Sequence, residues 1–227
     1  MDFRRYAVYF APAPGPLERF GASWLGWDIA TGRAVPQPVL TGLPAPLAQI
    51  TETPRKYGFH ATIKPPFRLA TGCREDGLNA ALERLCVQIT PQTLDGLELV
   101  PLGRFLALVA RGDTAPLRAM AAMTVETLDS FRAPPTQAEL ERRAVGLNPR
   151  QNALLRRWGY PYVMEEFRFH MTLTGKLPKA QIKPVQDVAA RALESLLPVP
   201  FVIDGLCLVG EADDGRFHLI HRHTLSI

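Results

Sequence analysis

Two stretches of the chain alternate regularly between apolar and polar residues. One covers residues 57–64 (YGFHATIK) and the other covers residues 167–174 (FRFHMTLT). Alternation with a period of two predicts a β-strand that buries one face and leaves the other polar. The polar face of each strand carries a histidine and, about 6.6 Å further along, a threonine, in the pairs His60–Thr62 and His170–Thr172.

The two stretches belong to a longer repeat. A second phrase, DGLELV, begins 35 residues after His60, and its counterpart, DGLCLV, begins 34 residues after His170. Matching phrases at matching intervals predict a tandem duplication, in which each half reads as motif strand, helix, strand, turn and strand. The predicted organisation is a single bilobal domain over residues 1–227, with duplicated halves of about 1–112 and 113–227.

Apolar residues at helical spacing predict several helices between these strands. We expect them over residues 17–29, 75–89, 114–131, 137–158 and 178–197. The Asn148-Pro149 pair should break the fourth of these, because the residue before a proline avoids helical geometry. For a similar reason we expect Pro65-Pro66 to end the first motif strand, and Gly175 to end the second. The Pro- and Gly-rich segment 32–54 is predicted to be an ordered loop.

The composition places the chain among globular proteins. Hydrophobic residues make up 47% and charged residues 21%, and the net charge is +4, which is too small for confident non-specific nucleic-acid binding. No apolar run approaches the ~20 residues of a membrane span, and the apolar stretch near the N-terminus is too short for a secretion signal. Three cysteines without paired spacing favour a reducing, cytoplasmic location.

Histidine and threonine on facing strands suit phosphate chemistry. One neutral imidazole can take a proton from the attacking hydroxyl or water while the other, protonated, gives one to the leaving oxygen. The hydroxyls of Thr62 and Thr172 can donate to phosphate oxygens, and Lys64 and Arg168 can add positive charge. Tyr57 is a candidate for stacking on a ring of the substrate, although a place in the core or the cleft wall is the more common role of an aromatic residue.

Each of these residues also has a purely structural interpretation. A strand histidine can be purely structural, threonine favours strands in any case, and charges at strand ends are common. The matched duplication favours catalysis for His60 and His170. The C-terminal histidines, His218, His221 and His223, fit no strong zinc pattern, so we predict no metal site and no cofactor. The chain also lacks a GxGxxG or Walker phrase.

Two H-x-T phrases 110 residues apart in a duplicated chain resemble the two-histidine (2H) phosphoesterase superfamily, which includes the LigT-type cyclic phosphodiesterases. The phrases YGFHATIKPPF and FRFHMTLTG are similar to those of a branch encoded beside bacterial phosphonate-degradation genes. The resemblance implies an α+β fold with two pseudo-twofold lobes of antiparallel sheet, a central cleft and helices outside. It also implies acid–base catalysis by His60 and His170, phosphate binding by Thr62 and Thr172, and no metal.

The expected function is therefore a metal-independent phosphoesterase acting on a small phosphorylated or cyclic-phosphate metabolite, in the setting of phosphonate catabolism. Two alternatives are open: an RNA 2′,3′-cyclic phosphodiesterase, or a protein that binds a phosphorylated ligand or an RNA end without turnover. The Arg-rich segment 137–157 is the feature an RNA enzyme would use. No membrane partner is expected. The sequence leaves open which histidine is the acid. It also leaves open the oligomeric state, and a monomer is compatible with it.

Overall fold

Short strands and longer helices alternate along the chain. The computed structural model describes residues 2–226. Its strands are β1 (Arg5–Phe10), β2 (Trp27–Asp28), β3 (Arg33–Ala34), β4 (Ala61–Phe67), β5 (Gln92–Leu94), β6 (Gly96–Leu102), β7 (Phe105–Arg111), β8 (His170–Thr172), β9 (Phe201–Ile203), β10 (Gly205–Glu211) and β11 (Phe217–Thr224). Its α-helices are α1 (Pro16–Leu25), α2 (Leu47–Ile50), α3 (Glu52–Arg55), α4 (Glu75–Cys86), α5 (Ala115–Thr127), α6 (Gln137–Ala144), α7 (Pro149–Trp158) and α8 (Lys179–Leu193).

The two H-x-T strands lie side by side in the middle of one antiparallel sheet. The seven strands run in the order β11-β10-β1-β4-β8-β7-β6. The hairpin β6–β7, which follows β4 in the chain, pairs with β8, and the hairpin β10–β11, which follows β8, pairs with β1 beside β4. Two small sheets, β2–β3 and β5–β9, flank it. The predicted α+β class with antiparallel sheets is confirmed. Each side of this sheet combines strands from both halves of the chain, since β10 and β11 lie beside β1 while β6 and β7 lie beside β8.

Helices cover one face of the sheet and form the main core with it. Helix α4 packs on β10 and β11, while α8 packs on β6 and β7. Both helices bury an apolar stripe, represented by Leu82 in α4 and Ala189 in α8, against a face that includes Ala61 and Met171. Burying a leucine side chain stabilises the fold by about 1.5–3 kcal/mol. This packing leaves the histidines and threonines of the motif strands on the opposite face.

The helices agree with the sequence prediction except at their ends. The predicted break in the 137–158 segment is confirmed, since α6 ends at Ala144 and α7 begins at Pro149. Asn148 caps α7 by accepting a hydrogen bond from the Gln151 backbone, and proline follows at the first helical position. The 32–54 segment contains more regular secondary structure than predicted, namely β3, α2 and part of α3.

The prediction that Pro65 and Pro66 end the first motif strand is wrong, since β4 continues to Phe67. The partner strand explains this. In the β1–β4 ladder Lys64 pairs with Val8 and Phe67 pairs with Tyr6, so the register shifts between these pairs. Neither proline has a partner in that ladder, and a residue without an N–H is tolerated at such an irregularity.

Two further points concern the chain as a whole. Across residues 2–226, the helices are too short or too polar to cross a membrane. The predicted boundary between the duplicated halves falls at Gly112, which has a φ of +96° between β7 and α5. The duplication itself stays a prediction from the sequence.

Candidate active site

The pairing of β4 with β8 brings the two H-x-T phrases together. Ala61 pairs with Met171, and both side chains are fully buried in the core. In an antiparallel ladder, the residues on either side of such a pair face each other on the other side of the sheet. His60 therefore lies opposite Thr172, and Thr62 lies opposite His170. Directly opposite residues have Cβ atoms about 4.5–5.5 Å apart and diagonal ones about 7–8 Å apart, so the two histidines are diagonal neighbours on one polar face.

Both imidazoles are held in the same way. The Nδ1 of His60 lies 2.9 Å from the backbone oxygen of Gly58, and the Nδ1 of His170 lies 2.8 Å from that of Arg168. A carbonyl oxygen can only accept, so Nδ1 must carry the proton and donate it. In the neutral ring, Nε2 is then the basic atom. The Nε2 of His60 lies 3.1 Å from the hydroxyl oxygen of Thr62.

His60 is half-buried among its neighbours. The ring of Tyr9 stacks on it with centroids 3.7 Å apart and planes 23° from parallel. Burial lowers the pKa of His60 to about 4, a shift that the carbonyl of Gly58 opposes and that the charge of His170 reinforces. At neutral pH His60 is consequently an uncharged imidazole, ready to accept a proton.

A cavity of about 430 Å³ opens over this face of the sheet. Of the predicted site residues, His60, Thr62, Thr172 and Tyr57 line it. His170 stands at its margin, with its ring 6.1 Å from that of the lining residue Phe105. The structure therefore brings together both histidines, both threonines and the tyrosine.

The cavity is rich in donors and cations. Within the described part of the chain, no aspartate or glutamate lines it. The cationic lining residues are Arg5, Arg143 and Lys176. The hydroxyl-bearing ones are Tyr9, Thr53, Tyr57, Thr62, Tyr160, Thr172 and Thr174. Such a surface favours an anionic ligand, because its side chains offer positive charge and hydrogen-bond donors to negatively charged oxygens.

Lys64 does not reach this cavity, contrary to the sequence prediction. Its side chain is buried, its Nζ donates to the carbonyl oxygen of Val125 at 3.0 Å, and it lies 3.6 Å from a carboxylate oxygen of Asp129. Burial lowers the pKa of Lys64 to about 8, which the Asp129 carboxylate opposes. The contacts of Lys64 are those of a core residue that ties β4 to α5.

Arg168 also departs from its predicted place. It is exposed and does not line the cavity, so its contribution to the site is the backbone oxygen that orients His170. Of the C-terminal histidines, the rings of His221 and His223 lie 4.4 Å apart, while His218 packs against Trp27. Between residues 2 and 226, no three His, Cys, Asp or Glu side chains gather as a metal-ligand group.

Tyr9, Arg5 and Arg143 are among the cavity residues that the sequence argument missed. Tyr9 and Arg5 belong to β1, and they reach the site because β1 pairs with β4, where Tyr9 is the direct partner of Thr62. Arg143 projects from α6. The available signal for Arg143 was the Arg142-Arg143 pair in the basic segment, but only the packing of α6 shows which of the two faces the site.

Comparison with known proteins shows which family the chain belongs to. The model of the family described as a protein of unknown function, DUF1045, matches residues 62–218. The chain belongs to the DUF1045 family. The match includes Thr62, His170 and Thr172, and it spans most of the sheet.

Two curated relatives of this DUF1045 chain carry one name. It is 40% identical over 218 residues to "Ribose 1,5-bisphosphate phosphokinase PhnN" of Janthinobacterium sp. (strain Marseille), and 36% identical over 214 residues to the protein of that name from Laribacter hongkongensis (strain HLHK9). Each alignment covers 93% of this chain, and 48% and 49% of the respective relative. The chain thus spans about half the length of the curated relatives it matches.

Solved structures with a similar arrangement include phosphoesterases. E. coli LigT complexed with NADP+ is 14% identical with a TM-score of 0.46, and LigT complexed with 3'-AMP is 15% identical with a TM-score of 0.46. A further crystal structure, of a phosphoesterase, is 15% identical with a TM-score of 0.45. Each alignment covers the whole of both chains.

Proposed function

We propose that this DUF1045 protein is a phosphoesterase that opens a cyclic phosphodiester in a small metabolite, using His60 and His170 without a metal. One observation carries the proposal. Two matched H-x-T phrases share one polar face, and both imidazoles donate from Nδ1 to a backbone oxygen, so both present Nε2. A diagonal spacing of about 7–8 Å between the residues leaves room for one phosphate between the rings.

The burial that lowers the pKa of His60 supports it as the base and His170 as the acid. Uncharged His60 is the general base, and it takes a proton at Nε2 from the water that attacks phosphorus. As the new P–O bond forms, the bond from phosphorus to the ester oxygen breaks, and that oxygen takes a proton from Nε2 of protonated His170. The products are a phosphomonoester and a free hydroxyl, and one proton moves from His60 to His170 through solvent to reset the site.

The remaining lining residues suit the charge on the reacting group. The hydroxyls of Thr62 and Thr172 lie on the same face as the imidazoles. When substrate binds, the Thr62 hydroxyl turns from Nε2 of His60, and both hydroxyls donate to the non-bridging oxygens. The backbone oxygens of Gly58 and Arg168 stabilise each ring in its protonated form. General acid–base groups of this kind contribute about 10²–10⁴-fold each to a rate.

The size of the cavity favours a small metabolite. Its volume of about 430 Å³ falls within the roughly 300–1,000 Å³ of small-molecule sites. The printed name of the relatives refers to ribose 1,5-bisphosphate, which supports a cyclic phosphate of ribose as the substrate class, and its PhnN designation supports a role in phosphonate catabolism. A cytoplasmic location is part of the same proposal. The kinase reaction in that name is not proposed for this chain, because its sequence has no GxxxxGK[ST] phrase to hold a nucleotide triphosphate.

An RNA substrate fits the surface less well. The basic segment forms α6 and α7, where Arg150 pairs with Glu165, and the side chain of Arg157 lies over the ring of Trp158. Of the arginines on these two helices, Arg143 is the one that lines the cavity. Some of the arginines on the face that would contact an RNA backbone are therefore already paired with other side chains of this protein.

A turnover assay tests the proposal. The 1,2- and 2,3-cyclic phosphates of ribose are compared with an oligonucleotide that ends in a 2′,3′-cyclic phosphate, each in the presence of EDTA. We expect a ribose compound to be hydrolysed faster, with rates unchanged by EDTA and with little dependence on salt. Faster cleavage of the oligonucleotide, with a steep salt dependence that Arg156→Gln reduces, would establish the RNA alternative. Binding of these compounds without any product would establish the non-catalytic one.

A further inference from the structure

The positive charge of the cavity is concentrated on two side chains. Arg5 is neutralised by the buried carboxylate of Glu211, to which its Nε and Nη2 donate at 2.5 and 2.7 Å. Arg143 and Lys176 form no salt bridge with any residue of the described chain. Among residues 2–226 no carboxylate lines the cavity itself, and Glu139, which lines the adjoining pocket, is paired with Arg68, so the charge of Arg143 and Lys176 is left for a ligand.

Arg143 is held in a fixed position at the cavity wall. It is half-buried, and its Nη1 donates to the backbone oxygen of Gly159 at 2.6 Å. Gly159 ends α7 with a φ of +74°, and a side chain there would come within 3.1 Å of a guanidinium nitrogen of Arg132. A guanidinium has five N–H donors. Among residues 2–226, Arg143 donates one side-chain hydrogen bond, the one to Gly159, so most of its donors are free to bind a ligand.

A small pocket next to the cavity shows why Arg143 differs from its cationic neighbours. The pocket shares Arg5, Pro65, Pro66 and Arg143 with the cavity, and it is also lined by Lys64, Arg68 and Arg132. Each of these last three has a carboxylate partner: Arg68 pairs with Glu139, and Lys64 and Arg132 both face Asp129. With a volume of about 30 Å³, the pocket has room for only one or two waters. The guanidinium of Arg143 is thus unneutralised where the small pocket meets the cavity.

In the proposed function the reacting phosphate already has partners other than Arg143. The H-x-T phrases supply it with two imidazoles and two hydroxyls from β4 and β8, whereas Arg143 comes from α6 and Lys176 from the loop after β8. We propose that Arg143, with the unused donors of Arg5, binds a second anionic group of the same small substrate, a phosphomonoester. Lys176 adds its charge from the loop. This inference rests on the proposed function and names the substrate class more closely: a cyclic phosphodiester that also carries a terminal phosphate.

The chemistry of the guanidinium supports a phosphate in particular. Its planar set of donors matches two phosphate oxygens at once, and such paired hydrogen bonds are about twice as strong as neutral ones. An ammonium in the same place would supply the charge without that geometry. Specificity for the terminal phosphate then depends on the identity of residue 143 as well as on its charge.

Three variants and two pairs of compounds test the inference. Arg143→Gln is compared with Arg142→Gln, a change at the neighbouring exposed arginine that does not line the cavity. The substrates are the ribose 1,2- and 2,3-cyclic phosphates, each with and without a phosphate on O5. Arg143→Gln should lower kcat/KM about 30–100-fold for the 5-phosphorylated compound and less than about 3-fold for the other. Arg142→Gln should change neither, and Arg143→Lys should recover part of the loss.

The outcomes separate this inference from the proposed function. Equal losses on both members of a pair, or no loss on either, would overturn the phosphate subsite even if the protein is an active phosphoesterase. If the wild type hydrolyses none of the compounds, calorimetry with the same four compounds gives the answer. A 5-phosphate that improves affinity at least tenfold in the wild type, but not in Arg143→Gln, would keep the subsite and reject the phosphoesterase proposal. Equal affinities with and without the 5-phosphate would reject the subsite.

Discussion

The ring of Tyr9 stacks on the imidazole of His60, with centroids 3.7 Å apart. Tyr9 is fully buried, and its hydroxyl has no hydrogen-bond partner in the described chain. The ring therefore covers one face of the imidazole. The hydroxyl is a buried polar group that forms no hydrogen bond within residues 2–226. The pairing of β1 with β4 creates this contact, because Tyr9 is the direct partner of Thr62 in the ladder.

Tyr9→Phe should retain the stacking and remove the unsatisfied hydroxyl. Since an unpaired buried polar group costs about 1–3 kcal/mol, the variant should be as stable as the wild type or more stable, by up to about 1 kcal/mol. Urea unfolding at pH 7 measures this. The matched control is Tyr57→Phe, where the hydroxyl belongs to a half-buried residue. A loss of more than about 1 kcal/mol in Tyr9→Phe would show that the hydroxyl has a partner that stabilises the fold.

The low pKa of His60 predicts how stability depends on pH. The pKa of a free histidine is about 6.5, and that of folded His60 is about 4. Between these values the unfolded chain binds more protons than the folded one, so the free energy of unfolding falls as the pH is lowered through this window. The contribution is at most about 3 kcal/mol.

A variant isolates this contribution. Urea unfolding of the wild type and of His60→Asn at pH 7 and pH 4.5 should show the larger loss in the wild type, because asparagine does not titrate. His221→Asn, at an exposed histidine, serves as the control. Parallel losses in the wild type and in His60→Asn would mean that His60 is not held in the uncharged form.

The two threonines should affect turnover more than folding. Thr62→Val and Thr172→Val retain the shape of the side chain and remove the hydroxyl that donates to the phosphate. A hydrogen bond to a charged group is worth about 1.5–3 kcal/mol, so each change should lower kcat/KM about 10–100-fold. Thermal unfolding should change little. Thr93→Val, at an exposed position of β5, is the control, and an equally small effect of all three changes would remove the threonines from the site.

Much of this arrangement follows from the sequence because it is local. The alternation around His60 and His170 fixes which side chains share a face, and Asn148-Pro149 marks where a helix must stop. What the sequence pattern could not provide is the identity of the neighbours. The continuation of β4 through Pro65 and Pro66 depends on a register shift against β1. The stacking of Tyr9 and the reach of Arg143 depend on the pairing and packing of segments far apart in the chain.

Lys64 illustrates the same limit. Its position in the alternation correctly places it on the polar face of β4, but α5 covers that end of the strand, and Lys64 meets the carbonyl oxygen of Val125 instead of solvent. Lys64→Met should therefore lower the free energy of unfolding by about 1–3 kcal/mol, because that oxygen loses its partner. The kcat/KM should stay within about 3-fold of the wild type.

The control for this change is Lys183→Met on the exposed side of α8, where the ion pair with Asp187 lies at the surface. Such a pair is worth less than about 1 kcal/mol, so this variant should unfold like the wild type. If Lys64→Met retained its stability and lost turnover instead, the ammonium would have to reach the substrate.

The central claim is that His60 and His170 act together on one phosphate. The most direct measurement is kcat/KM for a ribose cyclic phosphate with His60→Ala, His170→Ala and the double variant, beside His221→Ala as the matched control. We predict that each single variant loses at least about 100-fold, that the double variant loses far less than the product of the two because the residues act as a unit, and that His221→Ala is unaffected. Near wild-type turnover in both single variants would contradict the account.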